Sequence, residues 1–340
     1  MKIGILTGGG DCPGLNPVIR AVVRTANREK YTVLGVRNGW KGLVENDTFL
    51  LDGSAVSGIL HRGGTILGTS RTNPYKDAAA LDKLKTNFKK LGLDALIAIG
   101  GEDTLGVANK FFKDGFPVVG VPKTIDNDLS GTDVTFGFDT AVNVAMEAID
   151  RLHSTAESHR RIMVVEVMGR HAGWIAVHSG LAGGADLILI PEVPIKMREV
   201  CEAIKQRIDR GKFFSIVVVA EGAKFDGNEI LLEKKLDEFG HVRLGGIGEL
   251  LAAKIEEAMK LETRVVVLGH VQRGGAASAF DRVLATRFGE KSVQLVKKKE
   301  FGHMVALHAN EIISIPIEEA VSRLKTVDAR YYDMARTFFG

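Results

Sequence analysis

Residues 122–128, with the sequence PKTIDND, bring a cation, a hydroxyl group and carboxylates together just after an apolar run. The run predicts a short buried strand, and ligands of parallel α/β sheets bind outside the carboxyl ends of the strands. Lys123 could contact a phosphate, Thr124 could donate a hydrogen bond, and Asp126 could act as a general base. A polar loop held by Asx-turn hydrogen bonds is the alternative interpretation.

Two glycine-containing loops at other predicted strand ends could bind an anion. Residues 8–11 (GGGD) and 100–104 (GGEDT) each follow an apolar run, and glycine lets backbone amides approach a phosphate closely. The first loop lacks the ending of a P-loop and the glycine spacing of a dinucleotide fingerprint, so a plain tight turn is also possible. In the second, Glu102 and Asp103 could hold Mg²⁺ carried by a phosphate. They could also form the acidic first turn of a helix that Thr104 caps.

Basic side chains follow several of the apolar runs. The planar guanidinium group suits phosphate recognition, although a single arginine is usually a solvated surface residue. Glu221, directly after a predicted strand, could accept hydrogen bonds from sugar hydroxyls or be a solvent-facing charge. The basic residues at these loops are Arg71, Arg161, Arg170, His171, Arg264, His270 and Arg273.

Length, charge and cysteine usage narrow the class of protein. A chain of 340 residues predicts two domains. The net charge of +3 is too small to predict nucleic acid as a partner. There is no signal-peptide pattern and no apolar run long enough to span a bilayer, so no membrane partner is predicted. Cys12 and Cys201 lack metal-binding spacing, and so few cysteines favour a reduced, cytoplasmic setting.

Near-continuous apolar runs alternate with helical segments, which predicts a mostly parallel sheet covered on both faces. Asn16 fits the N-cap of a helix that begins at a proline, and Asp139 or Thr140 could cap a helix over 139–153. The polar segment 223–246 predicts an insertion or a long hairpin. The predicted strands cover residues 3–6, 32–36, 95–99, 118–121, 162–167, 216–220 and 265–268.

Five separated motifs occur in the order in which 6-phosphofructokinases carry them, and they span nearly the whole chain. The chain most resembles the pyrophosphate-dependent members of the mixed-substrate branch of this family. The motifs are residues 7–16 (TGGGDCPGLN), 100–104 (GGEDT), 122–128 (PKTIDND), 168–170 (MGR) and 270–275 (HVQRGG).

The resemblance implies an α/β phosphofructokinase fold: two Rossmann-like, three-layer αβα domains with mostly parallel sheets. The expected phosphoryl-donor domain, for pyrophosphate and Mg²⁺, comprises residues 1–137 plus 274–322. The expected fructose 6-phosphate domain comprises residues 138–273 plus 323–340. The resemblance therefore places the two substrates on different domains.

The resemblance also implies a role for each matching residue. Asp126 matches the general base that takes a proton from the 1-hydroxyl of fructose 6-phosphate, Thr124 flanks the sugar, and Glu102 matches the residue tied to Mg²⁺. Arg161 and Arg264 match arginines that grip the 6-phosphate in a neighbouring subunit's site, which implies a homo-oligomer, either a dimer or a tetramer. Substrate-binding positions are matched by Met168, Gly169, Arg170, Glu221, His270 and Arg273, and donor-phosphate positions by Gly10 and Arg71.

Asp103 and Lys123 distinguish the two phosphoryl donors that the family uses. ATP-dependent members resemble one another in having Gly at the position of Asp103 and commonly at that of Lys123. Like charges about 4 Å apart cost several kcal/mol at an effective dielectric constant of about 20, so Asp103 would repel the α-phosphate of ATP. Lys123 would supply a cation beside the transferring group. We therefore predict pyrophosphate as the donor in a reversible reaction, although Glu102 stands where many relatives have Asp.

Other functions are compatible with parts of this pattern. The first alternative is an ATP-dependent 6-phosphofructokinase. NAD kinases and lipid kinases share a Gly-Gly-Asp-type loop, but they lack the Met-Gly-Arg and His-Val-Gln-Arg motifs. A non-catalytic sugar-phosphate sensor would need neither Lys123 nor Asp126, and both are intact.

Regulation by a diphosphate effector is not predicted. Arg20 and Arg24 match arginines of the effector site in allosteric bacterial ATP-dependent enzymes. Phe213 and Phe214 stand where Lys and His would be expected, so the effector would lose cationic partners. We expect no allosteric control by ADP or phosphoenolpyruvate.

Overall fold

A computed structural model describes residues 1–226 and 245–340. The described residues form two compact units. The predicted insertion at 223–246 lies largely outside the described residues. The first unit comprises Met1–Ile125, Leu129–Asp139 and Arg273–Leu324, and the second comprises Asp126–Asp128, Thr140–Gln272 and Lys325–Gly340.

The units defined by contacts have boundaries within a few residues of those drawn for the two domains. They differ most at Asp126–Asp128, which packs with the second unit although the flanking residues belong to the first. Arg273 begins the last segment of the first unit rather than ending the second. That one unit binds the donor and the other the sugar stays a prediction.

Strands and helices alternate through most of the chain. The strands are β1 (Lys2–Thr7), β2 (Thr32–Val36), β3 (Thr48–Leu51), β4 (Ala95–Gly100), β5 (Val118–Thr124), β6 (Phe136–Gly137), β7 (Ile162–Val167), β8 (Leu187–Leu189), β9 (Ser215–Ala220), β10 (Thr263–Val267), β11 (His303–His308) and β12 (Glu311–Pro316). The helices are α1 (Leu15–Arg28), α2 (Trp40–Glu45), α3 (Ala78–Lys90), α4 (Glu102–Lys113), α5 (Phe138–His159), α6 (Trp174–Ala182), α7 (Met197–Asp209), α8 (Ile247–Met259), α9 (Ala279–Lys298), α10 (Ile317–Ser322) and α11 (Ala329–Arg336), with 3₁₀ turns at Pro74–Lys76 and Gly269–Arg273.

Among the described residues, eight strands form the sheet of the first unit, in the order β12-β11-β5-β4-β1-β2-β3 with β6 beside β5. The pairs along β11-β5-β4-β1-β2 and the pair β5-β6 are parallel, whereas β2-β3 and β11-β12 are antiparallel. The adjacent parallel strands β1, β4 and β5 end at the same edge. Residues 8–11 follow β1 and residues 100–104 begin at the last residue of β4, whereas residues 122–128 begin inside β5, which continues to Thr124.

Aromatic packing stabilises the helices behind this edge. Phe111 of α4 stacks on Phe116, with ring centroids 4.2 Å apart. Phe88 and Trp40 meet Phe111 edge-on, with centroids 5.6 and 6.0 Å away. Such pairs contribute about 0.5–1.5 kcal/mol each beyond the apolar area they bury. The core thereby fixes α4, whose first turn carries the acidic residues of the second glycine loop.

The second unit has a sheet in the order β10-β7-β9-β8, and every pair in it is parallel. All residues of β7 and β9 are buried, which explains their near-continuous apolar sequence. Glu166 is the buried exception in β7. Its carboxylate accepts hydrogen bonds from the amides of Gly246 (3.2 Å) and Gly248 (2.8 Å) at the start of α8. The helix dipole favours a negative charge at this end of a helix.

Two predicted helix caps are wrong. Helix α1 follows Gly14, which has φ 103°, and Asn16 lies inside the helix. Its side-chain amide instead donates to the carbonyls of Arg62 and Gly63 at 3.1 and 3.2 Å. Helix α5 begins at Phe138, so Asp139 is a first-turn residue, and its Oδ2 accepts a hydrogen bond from Ser278 at 2.6 Å.

The predicted α/β class with mostly parallel sheets is confirmed. The predicted strands agree with the observed ones to within about two residues at most ends. In the two described ranges, none of the helices is both long enough and apolar enough to cross a bilayer.

Candidate active site

The glycine loop after β1 is held by the segment that carries Arg71. Gly9, at φ 81°, donates its amide to the carbonyl of Ser70 at 3.2 Å and accepts from the hydroxyl of Thr69 at 2.6 Å. The positive φ is a conformation that glycine adopts without steric cost. Arg71 itself is exposed. The structure thus places Gly10 and Arg71 on two adjoining loops.

Lys123, near the end of β5, reaches the same glycine loop. Its side chain is buried, and Nζ donates to the carbonyl of Gly10 at 2.6 Å. A Cβ atom on Gly9 would lie 3.3 Å from that Nζ. A buried ammonium group is costly unless it is paired and hydrogen-bonded, and here the glycine loop provides an acceptor. One of the two residues that the sequence predicts to choose the donor therefore lies directly on the predicted phosphate loop.

Arg273 also lies on this loop. Its Nη1 donates to the carbonyl of Asp11 at 3.3 Å. A Cβ atom on Gly10 would lie 2.0 Å from Nη1, so the guanidinium group occupies the space that a side chain at position 10 would need. Among the described residues, no hydrogen-bond partner is present for the buried Nε. The structure thus brings Arg273 to the glycine loop after β1, and its role as a sugar ligand stays a prediction.

Glu102 and Asp103 form the first turn of α4, after Gly101 at the N-cap. Thr104 is not the cap that the sequence suggested. Its buried side chain lies so close to two glycines that a Cβ on Gly8 or Gly100 would come within 2.5 and 2.3 Å of it. These glycines allow the loops after β1 and β4 to meet around Thr104. Glu102 is exposed and Asp103 half-buried.

In the second unit, Asp126 faces Arg170. Asp126 is buried, with 4% of its surface exposed. Its Oδ2 lies 4.0 Å from Nε of Arg170. The amide of Arg170 donates to Oε1 of Glu221 at 3.1 Å. These contacts bring together three residues that the sequence assigned to the sugar site, although they lie about 45 to 95 positions apart.

Close backbone approaches shape the loop that follows β7. Gly169 has φ 142°, and a Cβ atom there would lie 2.6 Å from the carbonyl oxygen of Ala172. Gly222, which follows Glu221, has still less room, because a Cβ atom would lie 1.7 Å from the carbonyl oxygen of Arg170. Met168, just before this loop, is buried. The two glycines therefore allow Arg170 and Glu221 to approach each other.

Arg161 and Arg264 share one acceptor. Nη2 of Arg161 lies 2.8 Å from Oε1 of Glu262, and Arg264 forms an ion pair with the same oxygen. The hydrogen bond from Arg161 lowers the pKa of Glu262, and the same bond raises the pKa of Arg161. The two arginines thus lie together at the starts of the neighbouring strands β7 and β10, and Glu262 orients both.

The remaining predicted residues are near strand ends. His270 is exposed in the 3₁₀ turn Gly269–Arg273. The buried Gln272 of that turn donates to the carbonyl of Gly269 at 3.1 Å. Thr124, the last residue of β5, accepts a hydrogen bond at its carbonyl from the hydroxyl of Thr135 at 2.8 Å.

Sequence reasoning missed Lys325, which lies almost 200 positions after the loop it contacts. Its Nζ donates to Oδ1 of Asn127 at 3.2 Å, and its amide donates to the carbonyl of Asp128 at 2.9 Å. No local pattern around Lys325 distinguishes it from a surface lysine. Only the tertiary structure brings it beside the loop that carries Asp126.

The fold and these loops define a two-unit α/β protein with cations and carboxylates at the ends of parallel strands. The family model described as Phosphofructokinase matches residues 2–296. The chain belongs to the phosphofructokinase family, as its motifs predicted.

The similar proteins are named for two different phosphoryl donors, pyrophosphate and ATP. The chain is 60% identical to a pyrophosphate–fructose 6-phosphate 1-phosphotransferase of Streptomyces coelicolor, over the whole of both chains. It is 54% identical to an ATP-dependent 6-phosphofructokinase of Mycobacterium leprae, again over the whole of both. A solved phosphofructokinase of Saccharomyces cerevisiae is 33% identical, with a TM-score of 0.81 over 94% of this chain. The chain spans 45% of the length of that yeast chain.

Proposed function

We propose that the chain transfers a phosphoryl group from inorganic pyrophosphate to the 1-hydroxyl of fructose 6-phosphate. The products are fructose 1,6-bisphosphate and phosphate, and the reaction serves glycolysis or gluconeogenesis. The observation that carries the assignment of phosphoryl transfer is the buried amino group of Lys123 on the carbonyl of Gly10, and the choice of pyrophosphate rests on Asp103 in the first turn of α4. Relatives named for this reaction, at 51–60% identity over the full chain, support the same assignment.

Asp126 acts as the general base in this proposal. Its carboxylate accepts the proton of the 1-hydroxyl as that oxygen forms a bond to a phosphorus atom of pyrophosphate, and the other phosphate leaves. The Arg170 guanidinium lies 4.0 Å from Oδ2 of this carboxylate. Burial of Asp126 limits the water that could compete for the transferring group.

The donor side stabilises the charge of the transferring phosphoryl group. Lys123 and Arg273 place two cations on the glycine loop, which is the arrangement expected where phosphoryl transfer depends on positioning and electrostatics. Asp103, in the first turn of α4, would repel the α-phosphate of ATP and so favours the smaller donor. Arg71 would contact the donor phosphates.

Mg²⁺ fits the residues of the second glycine-containing loop, residues 100–104. Glu102 offers an exposed carboxylate at the start of α4. Within residues 1–226 and 245–340, no three acidic, histidine or cysteine side chains cluster as a metal cage. Mg²⁺ usually takes one or two carboxylates and keeps its other positions for water and substrate phosphates. When bound, the ion would neutralise charge on the pyrophosphate.

The sugar side would bind fructose 6-phosphate through Thr124, Met168, Gly169, Arg170, Glu221, His270 and Arg273. Arg161 and Arg264 would grip the 6-phosphate bound in the site of a neighbouring subunit, so the active form is a homo-oligomer. No effector control is expected because half-exposed Phe213 offers no cation to a diphosphate. A steep response of the initial rate to ADP or phosphoenolpyruvate would contradict that expectation.

ATP is the second candidate donor, and the mycobacterial relatives at 53–54% identity carry that name. An assay of the purified protein with fructose 6-phosphate, Mg²⁺ and either donor separates the two. We expect faster turnover with pyrophosphate, and measurable turnover in the reverse direction with fructose 1,6-bisphosphate and phosphate. Activity with ATP equal to or above that with pyrophosphate would overturn the donor assignment. Absence of turnover with both donors would favour a sugar-phosphate sensor.

A further inference from the structure

The segment that begins at Lys325 runs beside the loop that carries the proposed base. The amide of Lys325 donates to the carbonyl of Asp128 at 2.9 Å. Asp126, Asn127 and Asp128 are all buried, with at most 9% of their surfaces exposed. The loop therefore packs against the C-terminal segment of the same unit rather than standing in solvent.

The side chain of Lys325 holds the residue between the two aspartates. Its Nζ donates to Oδ1 of Asn127 at 3.2 Å and lies 5.3 Å from the ring centroid of Trp174. Asn127 has φ 53°, a left-handed conformation that asparagine tolerates better than most residues. Asn127 follows Asp126 directly in the chain. The backbone conformation of Asn127 therefore constrains the position of the Asp126 backbone.

The same segment is attached to the loop after β7. Nε1 of Trp174 donates to the carbonyl of Lys325 at 2.9 Å. Oε1 of Glu192 accepts hydrogen bonds from the amides of Gly173 (3.0 Å) and Val327 (2.8 Å). Residues 325–327 therefore contact the base-bearing loop on one side and the end of the Arg170 loop on the other.

We propose that Lys325 is a positioning residue for phosphoryl transfer, acting through Asn127 on the orientation of the Asp126 carboxylate. This inference rests on the proposed role of Asp126 as the base. Lys325 contributes through its hydrogen bond to Asn127 and its packing on Trp174. A general base must lie within hydrogen-bond reach of the proton that it takes, and a misplacement of 1 Å can lower the rate by about 10²-fold.

A double-mutant cycle tests this contact. Lys325→Met removes the donor while keeping much of the apolar stem. Asn127→Gly removes the acceptor, and glycine keeps the left-handed backbone without strain. We expect each change to lower kcat by about 10- to 100-fold and to change KM for fructose 6-phosphate by less than about threefold. The double mutant should be no slower than the slower single mutant, because both changes break the same interaction.

Two further variants separate positioning from charge and folding. Lys325→Arg keeps a long cationic donor and should recover most of kcat. Lys205→Met makes the same chemical change at an exposed position of α7 and should leave kcat unaltered. Thermal unfolding of every variant, and binding of fructose 6-phosphate by calorimetry, show whether the native state and sugar affinity are retained.

Each outcome decides the inference. Unchanged kcat in folded Lys325→Met, or additive losses in the double mutant, would overturn it, and so would a loss of sugar affinity equal to the loss of kcat. If Lys325→Met does not fold, Asn127→Gly decides the inference: unchanged kcat in that variant, or a loss of sugar affinity equal to its loss of kcat, would overturn it. Asp126→Ala is measured in parallel: wild-type turnover in that variant would refute the base assignment itself. Inactive Asp126→Ala together with unaffected Lys325 and Asn127 variants would refute only the positioning role.

Discussion

Asp103 and Lys123 carry opposite charges near the ends of the neighbouring strands β4 and β5 of the first unit. Lys123 is buried against the glycine loop, whereas Asp103 lies in the first turn of α4, where the helix dipole favours a carboxylate. In its proposed role the lysine would attract any phosphate, so it would not by itself discriminate between donors. Discrimination is therefore expected to depend on the repulsion that Asp103 adds against a larger polyphosphate.

Replacing Asp103 with Gly should shift donor preference toward ATP. The change removes both the negative charge and the side-chain volume, while the backbone of the first turn remains compatible with glycine. Steady-state assays with both donors should show kcat/KM for ATP rising by about tenfold or more, since like charges at close range cost several kcal/mol. Asp103→Asn controls for charge alone and should give an intermediate shift. An unaltered donor ratio in Asp103→Gly would count against the exclusion argument.

Replacing Asp126 with Ala should lower kcat by about 10²-fold or more, the usual effect of losing a general base. The affinity for fructose 6-phosphate should change much less, because in the proposed role the carboxylate acts mainly on the proton transferred during the reaction. Rates and calorimetric affinities for the variant measure the two effects separately. Equal losses in both would indicate that Asp126 binds the sugar instead.

At the scale of elements, glycines determine how closely the functional loops approach. The loops after β1 and β4 meet around Thr104 because Gly8 and Gly100 have no side chains. In the second unit, Gly222 allows the loop after β9 to lie against the carbonyl of Arg170. The strand ends thus determine where the loops lie, and the glycines determine how closely the loops approach one another.

Gly222→Ala should destabilise the second unit. Its Cβ would lie 1.7 Å from a backbone oxygen, which cannot rotate away as a side chain can, so the Arg170 loop must shift. Overpacking of this kind costs about 1–3 kcal/mol, and the midpoint of thermal unfolding should fall together with turnover. Gly106→Ala is the matched control. Position 106 lies inside α4 with nothing within 4 Å of the added methyl, so it should stabilise the helix by about 0.5–1 kcal/mol. Equal unfolding midpoints for the two variants would contradict the steric account.

At the scale of the whole molecule, the proposed sharing of arginines between subunits gives the assembly a catalytic role. Arg161 and Arg264 both bind Glu262, so these two cations are already held side by side in one chain. A sugar phosphate offered by another subunit would find a preorganised pair of guanidinium groups. The ion pairs with Glu262 are exposed enough to contribute little to stability.

Mixed oligomers can test whether the arginines act across subunits. Asp126→Ala and Arg264→Ala chains with different affinity tags are co-expressed, and oligomers carrying both tags are purified. If the arginine acts in the neighbour's site, each pair of unlike chains contains one intact site, so activity should recover to about half of the wild-type value for a dimer. Oligomers of either variant alone are the controls and should be nearly inactive. Failure of the mixed oligomer to recover activity would show that each chain completes its own site.

Much of this protein could be predicted from local patterns in its sequence. Apolar runs determined the strands β1, β4, β5, β7 and β9, because a buried parallel strand needs apolar side chains on both faces. Motif order determined the family, now confirmed by the family model and by full-length relatives. The helix caps at Asn16 and Asp139 were wrong, because both side chains bond to distant segments instead of their own helix ends.

Only the tertiary structure decided which distant residues the charged side chains contact. Lys123 reaches Gly10, Arg273 reaches Asp11, and Lys325 reaches Asn127, across separations of 113, 262 and 198 positions. Strand periodicity and glycine turns are local properties, so a sequence expresses them within a few residues. Contacts of this range depend on how the strands are ordered in a sheet and how the C-terminal segment packs, and no single stretch of the chain encodes either.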